Sequence, residues 1–357
     1  MADVRASIDL ALPPAAAFDA LVEELDDALA RLGIRFEPGR GGRVAEGAFD
    51  VGKVVAWEPG RGLALEWRHA SWSPGVVTEM RLALEPVAGG GTRATLEHRG
   101  WDAAIGDPVE LAGWFAGQVL APLLSASSPT AFGDWFTDRR ARCPSGPAAR
   151  ATYLHPLYHL PNFRVILAEL ALTRDDHLLE VGCGGGSFLG AALHSGCRAS
   201  AVDHSADMVR LAREANRDAV AAGRLDVREG DAASLPFGDA AFTCAAMTGV
   251  LGFLSDPVAA LGEIRRALRA GGRFVGLGSD PELKGTPAAP EPMASRLRFY
   301  DTAQLEDLAR RAGFEDVRVV RRDLQPFARE AGVPEEHLPM FAAGTSGGAR
   351  FLLARKA

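Results

Sequence analysis

Paired cysteines are missing from this chain of 357 residues. Its four cysteines (Cys143, Cys183, Cys197 and Cys244) are scattered with no CxxC spacing. That pattern suggests neither a zinc site nor a disulfide framework, so free thiols, no metal and a cytoplasmic location are expected. Long apolar runs are missing too. The opening MADVRASIDLALPP carries charges where a secretory signal needs an apolar core, and no stretch is long and apolar enough to span a bilayer. Positive charge is not in excess: the formal net charge is −7. A dedicated nucleic-acid surface needs concentrated Lys and Arg, so no nucleic-acid partner is expected. The short clusters Arg139-Arg140 and Arg321-Arg322 are expected to be solvated faces. There are no repeats, and the Pro-rich KGTPAAPEP is expected to be a loop. What remains is 47% hydrophobic and 24% charged, at a length comfortable for two cores rather than one.

The stretch CPSGPAA, residues 143–149, divides the chain. Before it, short alternating segments dominate: VRASIDLAL, GKVVAWEP, LALEWR, VTEMRLALEP and TRATLEHR. Their period of two predicts strands, joined by turns such as Glu58-Pro59-Gly60 and Gly89-Gly90-Gly91. One helix is expected over about 14–31, and a longer one over about 107–141, kinked at Pro122 or Pro129. All six tryptophans lie in this part, which by itself says little about function. With its opening strand and PPAAAFDAL helix, then AWEPGRGLALEWR and LEPVAGGGTRATLEHRGW, this half resembles the START-like helix-grip (SRPBCC) superfamily, in its Hsp90-ATPase-activator-homologue branch. The resemblance covers about residues 3–140. It implies an α+β fold, a curved antiparallel sheet gripping a long C-terminal helix, with an apolar cavity between them.

After the division, apolar runs alternate with amphipathic helices: LLEVG, ASAVD, LDVREGD, FTCAAMT and RFVGLG. Such alternation predicts a parallel sheet with helices on both faces. Asp256-Pro257 opens a helix that Arg269 and Gly271 are expected to close, and Asp301 with Gln304 predicts a capping box. VRVVRR and ARFLLARKA are expected as the last two strands.

The first of these strands runs into LLEVGCGGGSFLG, residues 178–190. In open α/β sheets, ligands bind beyond the carboxyl ends of the strands, where strand order reverses. A dinucleotide fingerprint requires G-x-G-x-x-G, but Ser187 stands where the third glycine should be, and no Gly-Lys-Ser/Thr follows to make a Walker loop. The loop does match E-x-G-x-G-x-G at Glu180, Gly182, Gly184 and Gly186. It is followed by Asp203 closing AVD, by Asp231 and Ala232 in GDAASLPF, and by LRAGGRFVGLG. With these ordered motifs, about residues 155–357 resemble the class I S-adenosylmethionine (SAM) methyltransferases, in the small-molecule branch called type 11.

The resemblance implies an α/β, Rossmann-like, seven-stranded domain with SAM as cofactor. It implies that Asp203 accepts both ribose hydroxyls, that Asp231 and the Ala232 N–H hold the adenine, and that His204 and Met208 pack beside it. It implies also that Thr248 touches the cofactor and that Glu180 acts indirectly, organising the loop and the ammonium of the SAM tail. A structural role for His204 at the start of a helix fits its position equally well. An acidic Glu180 suits a cationic ligand better than a pyrophosphate.

Methyl transfer is a displacement at a carbon already activated by sulfonium, so positioning and desolvation are expected to dominate, with a base only where the nucleophile must lose a proton. The candidates for catalysis or for an aromatic lid are His155, Tyr158 and His159 in YLHPLYHLPNF, groups able to donate, accept or titrate. Arg298 and Tyr300 are the substrate-side candidates. The expected organisation is therefore a helix-grip domain over 1–142, a linker over 143–152 and a methyltransferase domain over 153–357. The expected activity is methyl transfer to O, N or C of a small, apolar or aromatic metabolite, with a hydrophobic ligand or partner for the first domain. The competing readings are a non-catalytic sensor of SAM and a hydrophobic effector, or a chaperone-interaction module. Oligomeric state is left open.

Overall fold

A computed structural model describes residues 2–68, 72, 75–101, 133–134, 137–278, 280–286, 289–342 and 349–357. The chain forms two compact units, Met1–Phe136 and Thr137–Ala357.

The first unit is a seven-stranded antiparallel sheet with a helix against it. Its elements are β1 (Ala2–Leu10), α1 (Pro14–Arg31), β2 (Ile34–Phe36), β3 (Arg43–Glu46), β4 (Phe49–Glu58), β5 (Gly62–Trp67), β6 (Thr78–Pro86) and β7 (Thr92–Trp101). The strand order is β1-β7-β6-β5-β4-β3-β2, a meander closed at one edge by β1 returning to β7. Helix α1 follows the sequence expectation because Pro14 stands at its first turn and its apolar residues recur at helical spacing. Ala17, Phe18, Leu21, Leu25, Ala28 and Leu29 share one core with Val54, Leu65, Leu82 and Leu96 of the sheet. Phe18 meets Trp57 edge to face, with ring centroids 5.2 Å apart. Strands β2 and β3 were not among the expected ones. They are short, and pairing, of β2 with β3 and of β3 with β4, makes them strands. The helix expected over 107–141, with Pro122 and Pro129, lies outside the described residues except for its end, where Asp138–Arg142 form a π-helical turn.

The second unit is a doubly wound sheet. Its elements are α2 (Gly146–Leu154), α3 (Leu160–Leu170), β8 (His177–Val181), α4 (Ser187–Leu193), β9 (Arg198–Asp203), α5 (Ala206–Ala215), α6 (Arg217–Ala221), β10 (Leu225–Glu229), β11 (Phe242–Thr248), α7 (Pro257–Ala267), β12 (Leu268–Leu277), α8 (Thr302–Arg311), β13 (Glu315–Arg322), α9 (Gln325–Ala331) and β14 (Ala349–Arg355). The order is β10-β9-β8-β11-β12-β14-β13. Strands β8 to β12 pair in parallel, and β14 is antiparallel between β12 and β13. Strand order reverses at β8, whose neighbours are β9 and β11, so the crevice beyond its carboxyl end is where a ligand is expected.

The expected capping box on α8 is present, with Gln304 N donating to Asp301 Oδ1 at 2.8 Å and Asp301 N to Gln304 Oε1 at 2.9 Å. Asp256 caps α7 through Ala259 N at 3.0 Å. The other end of α7 departs from expectation. The helix stops at Ala267, and Leu268 already pairs with Phe242, so Arg269 and Gly271 belong to β12. Gly271 takes φ +72 there and donates its N–H to Lys356 O at 2.8 Å. Helix α2 occupies most of the stretch expected to be a linker and belongs to the second unit. No helix among the described residues is long and apolar enough to cross a membrane.

Candidate functional site

The site grows from the end of β8. Leu178, Leu179, Glu180 and Val181 are all buried, because a central parallel strand is covered on both faces. The chain then turns sharply: Gly182 N donates to Val202 O at 2.8 Å, which ties the loop to β9. Gly182, Gly184 and Gly186 have φ of +76, +49 and +80, a region that favours glycine. The loop is also crowded from outside. A Cβ at Gly184 would lie 2.6 Å from Tyr153 Cδ1, and one at Gly185 would lie 2.4 Å from Tyr153 O.

Asp203 ends β9 beside this loop. Its Oδ2 accepts Gly184 N at 2.9 Å and its Oδ1 accepts Ser205 N at 2.9 Å. Each oxygen keeps a second lone pair. Burial pushes the Asp203 carboxyl upward, partly offset by those two N–H groups. Asp203 O accepts Gly230 N at 3.0 Å, which draws the end of β10 to the same edge. Asp231 follows, exposed, with Oδ1 bonded to Ala233 N at 2.7 Å, and Ala232 is half-buried. On the other side, β11 ends at Thr248, whose hydroxyl is buried without a partner. Gly249 comes next with φ +70, and a Cβ there would lie 3.2 Å from His159 Cε1.

The parallel strands therefore bring Glu180, the glycine loop, Asp203, Asp231, Thr248 and His159 to one edge. Three buried polar atoms there have no partner: Glu180 Oε2, Thr248 Oγ1 and His159 Nδ1. Buried polar groups are nearly always paired, so three orphans at one edge mark a place for a ligand. Burial, and then the charge of Asp203, push the Glu180 carboxyl well above the usual range. Burial pushes the His159 imidazole down, so it is neutral at pH 7.

The other expected residues are placed differently. His204 is exposed, whereas Met208 is fully buried on the inner face of α5. His155 is exposed. The Tyr158 hydroxyl bonds to His337 Nδ1 at 2.7 Å. Arg298 is exposed and committed to the backbone, with Nη1 donating to Ser255 O at 2.9 Å. Tyr300 lies in the core with Leu251 and Leu305, its hydroxyl buried and unpartnered.

Three residues not singled out in the sequence also shape the site. Tyr153 covers the loop from α2, and burial and the Asp203 charge raise its phenol pKa. Arg150, one turn earlier, pins α2 to α5 through Asp207 at 2.9 Å. Asn216 Nδ2 donates to Gly186 O and Ala212 O, each at 3.0 Å. Tyr153 opens the YLHPLYHLPNF stretch, whereas nothing in the sequence marks Asn216 or His337.

The donor set fits a cofactor with ribose hydroxyls and positive charge. Carboxyls at Glu180, Asp203 and Asp231 accept or attract such groups, and among the described residues no guanidinium or ammonium acts on Glu180 or Asp203.

Residues 179–276 match the methyltransferase-domain family Methyltransf_11, and residues 12–116 match the family of Activator of Hsp90 ATPase homolog 1-like proteins. The first of these families implies SAM as the cofactor. The chain is 37% identical over 114 residues to an uncharacterized 37.1 kDa protein in transposon TN4556 of Streptomyces fradiae, which is 31% of this chain and 32% of that protein. It is 30% identical over 175 residues to the O-methyltransferase cnsE of Penicillium expansum, 46% of this chain and 61% of that one. It is 31% identical over 161 residues to the O-methyltransferase resE of Aspergillus sclerotiorum, 42% of this chain and 59% of that one. The chain thus spans less than two thirds of the length of each of these relatives.

Proposed function

We propose, for a chain that carries a methyltransferase domain at residues 179–276 and an Hsp90-activator-like domain at residues 12–116, SAM-dependent methyl transfer to a hydroxyl oxygen of a small, apolar or aromatic metabolite. The observation that carries the reading is the glycine loop tied to Asp203 at the switch point of the sheet, with unpaired buried polar atoms around it. The names of the two fungal relatives favour oxygen over nitrogen or carbon as acceptor.

In this reading Asp203 offers its free lone pairs to the ribose hydroxyls, and Asp231 with the Ala232 N–H takes the adenine. Glu180 and Thr248 receive the polar tail. SAM supplies an electrophilic methyl group on a sulfonium. What the chain must add is orientation, exclusion of water and a place for the acceptor's proton. His159 suits that last role: its imidazole is neutral, stands beside Gly249 at the end of β11 and has an unpaired Nδ1. Tyr153 covers the loop as a lid. Tyr158, tied to His337, holds the same segment in place, and Arg298 and Tyr300 brace the acceptor side. The first domain would bind a hydrophobic ligand or partner.

The test is native mass spectrometry with S-adenosylhomocysteine (SAH), followed by turnover of SAM with a panel of phenols and aliphatic alcohols. A SAH-sized mass shift and SAH formed only with an acceptor support an enzyme. Binding without turnover on any acceptor supports a sensor instead, and no binding even at high SAH rejects the methyltransferase reading.

A further inference from the structure

Glu180 and Asp203 pose an electrostatic problem that the free protein must solve. Both carboxyls are buried, at 2% and 8% exposure, on adjacent parallel strands in which Glu180 is in register with Ala201. Across β11 the register partner of Glu180 is Ala246, so neither flanking strand offers it a polar neighbour in register. The titratable groups that feel this pair are Tyr153 from α2, Cys183 from the loop and Cys143, all neutral when protonated, with exposed His204 acting on Asp203. Among the described residues no guanidinium or ammonium acts on either carboxyl, and exposed His204 acts on Asp203 alone. Two uncompensated carboxylates so placed do not both ionise readily.

The hydrogen bonds say which of them keeps the proton. Asp203 accepts two backbone N–H groups, one on each oxygen, an arrangement that favours the anion. Glu180 Oε2 accepts none. The Glu180 carboxyl is accordingly the one pushed further up.

We infer that Glu180 is protonated in the free site and gives its proton to solvent when the ammonium of the cofactor tail enters, so that cofactor binding is linked to proton release. The inference rests on the proposed cofactor reading. It makes Glu180 a specificity-determining residue: a ligand that brings a positive charge to this pocket stabilises the ionised pair, and a neutral analogue cannot. In the free protein a neutral Glu180 is close in shape and charge to glutamine, so Glu180→Gln should fold normally.

The experiment is calorimetric titration of the full chain with SAH, which carries the same amino-acid tail. It is done in two buffers of different ionisation enthalpy, between about pH 6 and about pH 7.5. The wild type should release up to about one proton per SAH bound, with affinity rising by up to about tenfold per pH unit while free Glu180 remains protonated. The Glu180→Gln variant should release none and bind with a flat pH dependence. Wild-type binding with no proton exchanged at any pH overturns the inference, as does equal release by the Gln variant. The wild-type titration decides the matter alone should the variant fold poorly. Absence of SAH binding at every pH overturns the cofactor reading and this inference with it.

Discussion

Replacing Gly186 with alanine tests the placement of the glycine loop most directly. Gly186 stands at φ +80, where a side chain costs about 1–2 kcal/mol. Its new Cβ would lie 2.9 Å from Ala212 Cα, 3.0 Å from Ala212 Cβ and 2.6 Å from Asn216 Nδ2. Ala212 belongs to α5, so relief requires the helix or the loop to move, an overpacking cost of about 1–3 kcal/mol. Together these come to roughly 2–5 kcal/mol, a large share of the ~5–15 kcal/mol that holds a typical domain. The control is Gly190→Ala, four residues on and inside α4. There the Cβ meets only Asn216 Oδ1, at 3.2 Å, and alanine gains about 0.5–1 kcal/mol of helix preference. Stability should change by less than about 1 kcal/mol. The assay is urea unfolding followed by far-ultraviolet circular dichroism, together with SAH binding. Tryptophan fluorescence serves as an internal reference, since all six tryptophans precede residue 137 and report on the first unit. If Gly186→Ala unfolds like wild type and binds SAH normally, the loop does not lie against α5 in the left-handed conformation, and the cofactor is not held by it.

Asp203→Ala removes the acceptor of Gly184 N and Ser205 N as well as the expected ribose partner, so SAH affinity should fall by roughly 1.5–3 kcal/mol; unchanged affinity by calorimetry would place the ribose elsewhere. His159→Phe should lower kcat by roughly 10²-fold or more while SAH affinity holds, and a variant that keeps full turnover would remove His159 from proton transfer. In the first unit, buried His98 bonds Thr78 Oγ1 at 2.6 Å, and burial lowers its pKa to about 4. Its folded pKa lies below the unfolded value of about 6.5, so stability is complete above about pH 6.5 and declines as pH falls toward 4. The decline should reach up to about 3 kcal/mol in tryptophan-detected unfolding, and a His98→Gln protein with the same pH slope would contradict this origin.

Much of this molecule was legible one residue at a time. Helix α1 could be drawn from Pro14 and its apolar spacing, and the capping box of α8 from Asp301 and Gln304 alone, because these signals act within a turn or two of chain. The glycine loop was legible for a similar reason: a strand that runs into glycines with positive φ is a local backbone requirement. Strands β2 and β3 were not, since three or four residues beside a glycine-rich turn carry too little alternation and become strands only by pairing, β2 with β3 and β3 with β4. Gly271 suggested a helix end, yet its neighbour Leu268 was claimed by Phe242 across the sheet, a contact no local pattern announces.

For the candidate site, the sequence by itself determined which residue types follow the strands, through the order of Glu180, the glycines, Asp203 and Asp231. Only the tertiary structure decided what surrounds each one. Parallel pairing brought the strands of Glu180 and Asp203 side by side, so that two ordinary acids became a pair one of whose members is held up by burial and by its neighbour's charge. Folding also brought Asn216 under Gly186 across 30 residues and His337 to Tyr158 across 179. The physical reason is one of range. Backbone conformation is set by atoms a few bonds away, whereas charge, burial and unpaired hydrogen-bonding atoms depend on whatever the fold places within a few ångströms.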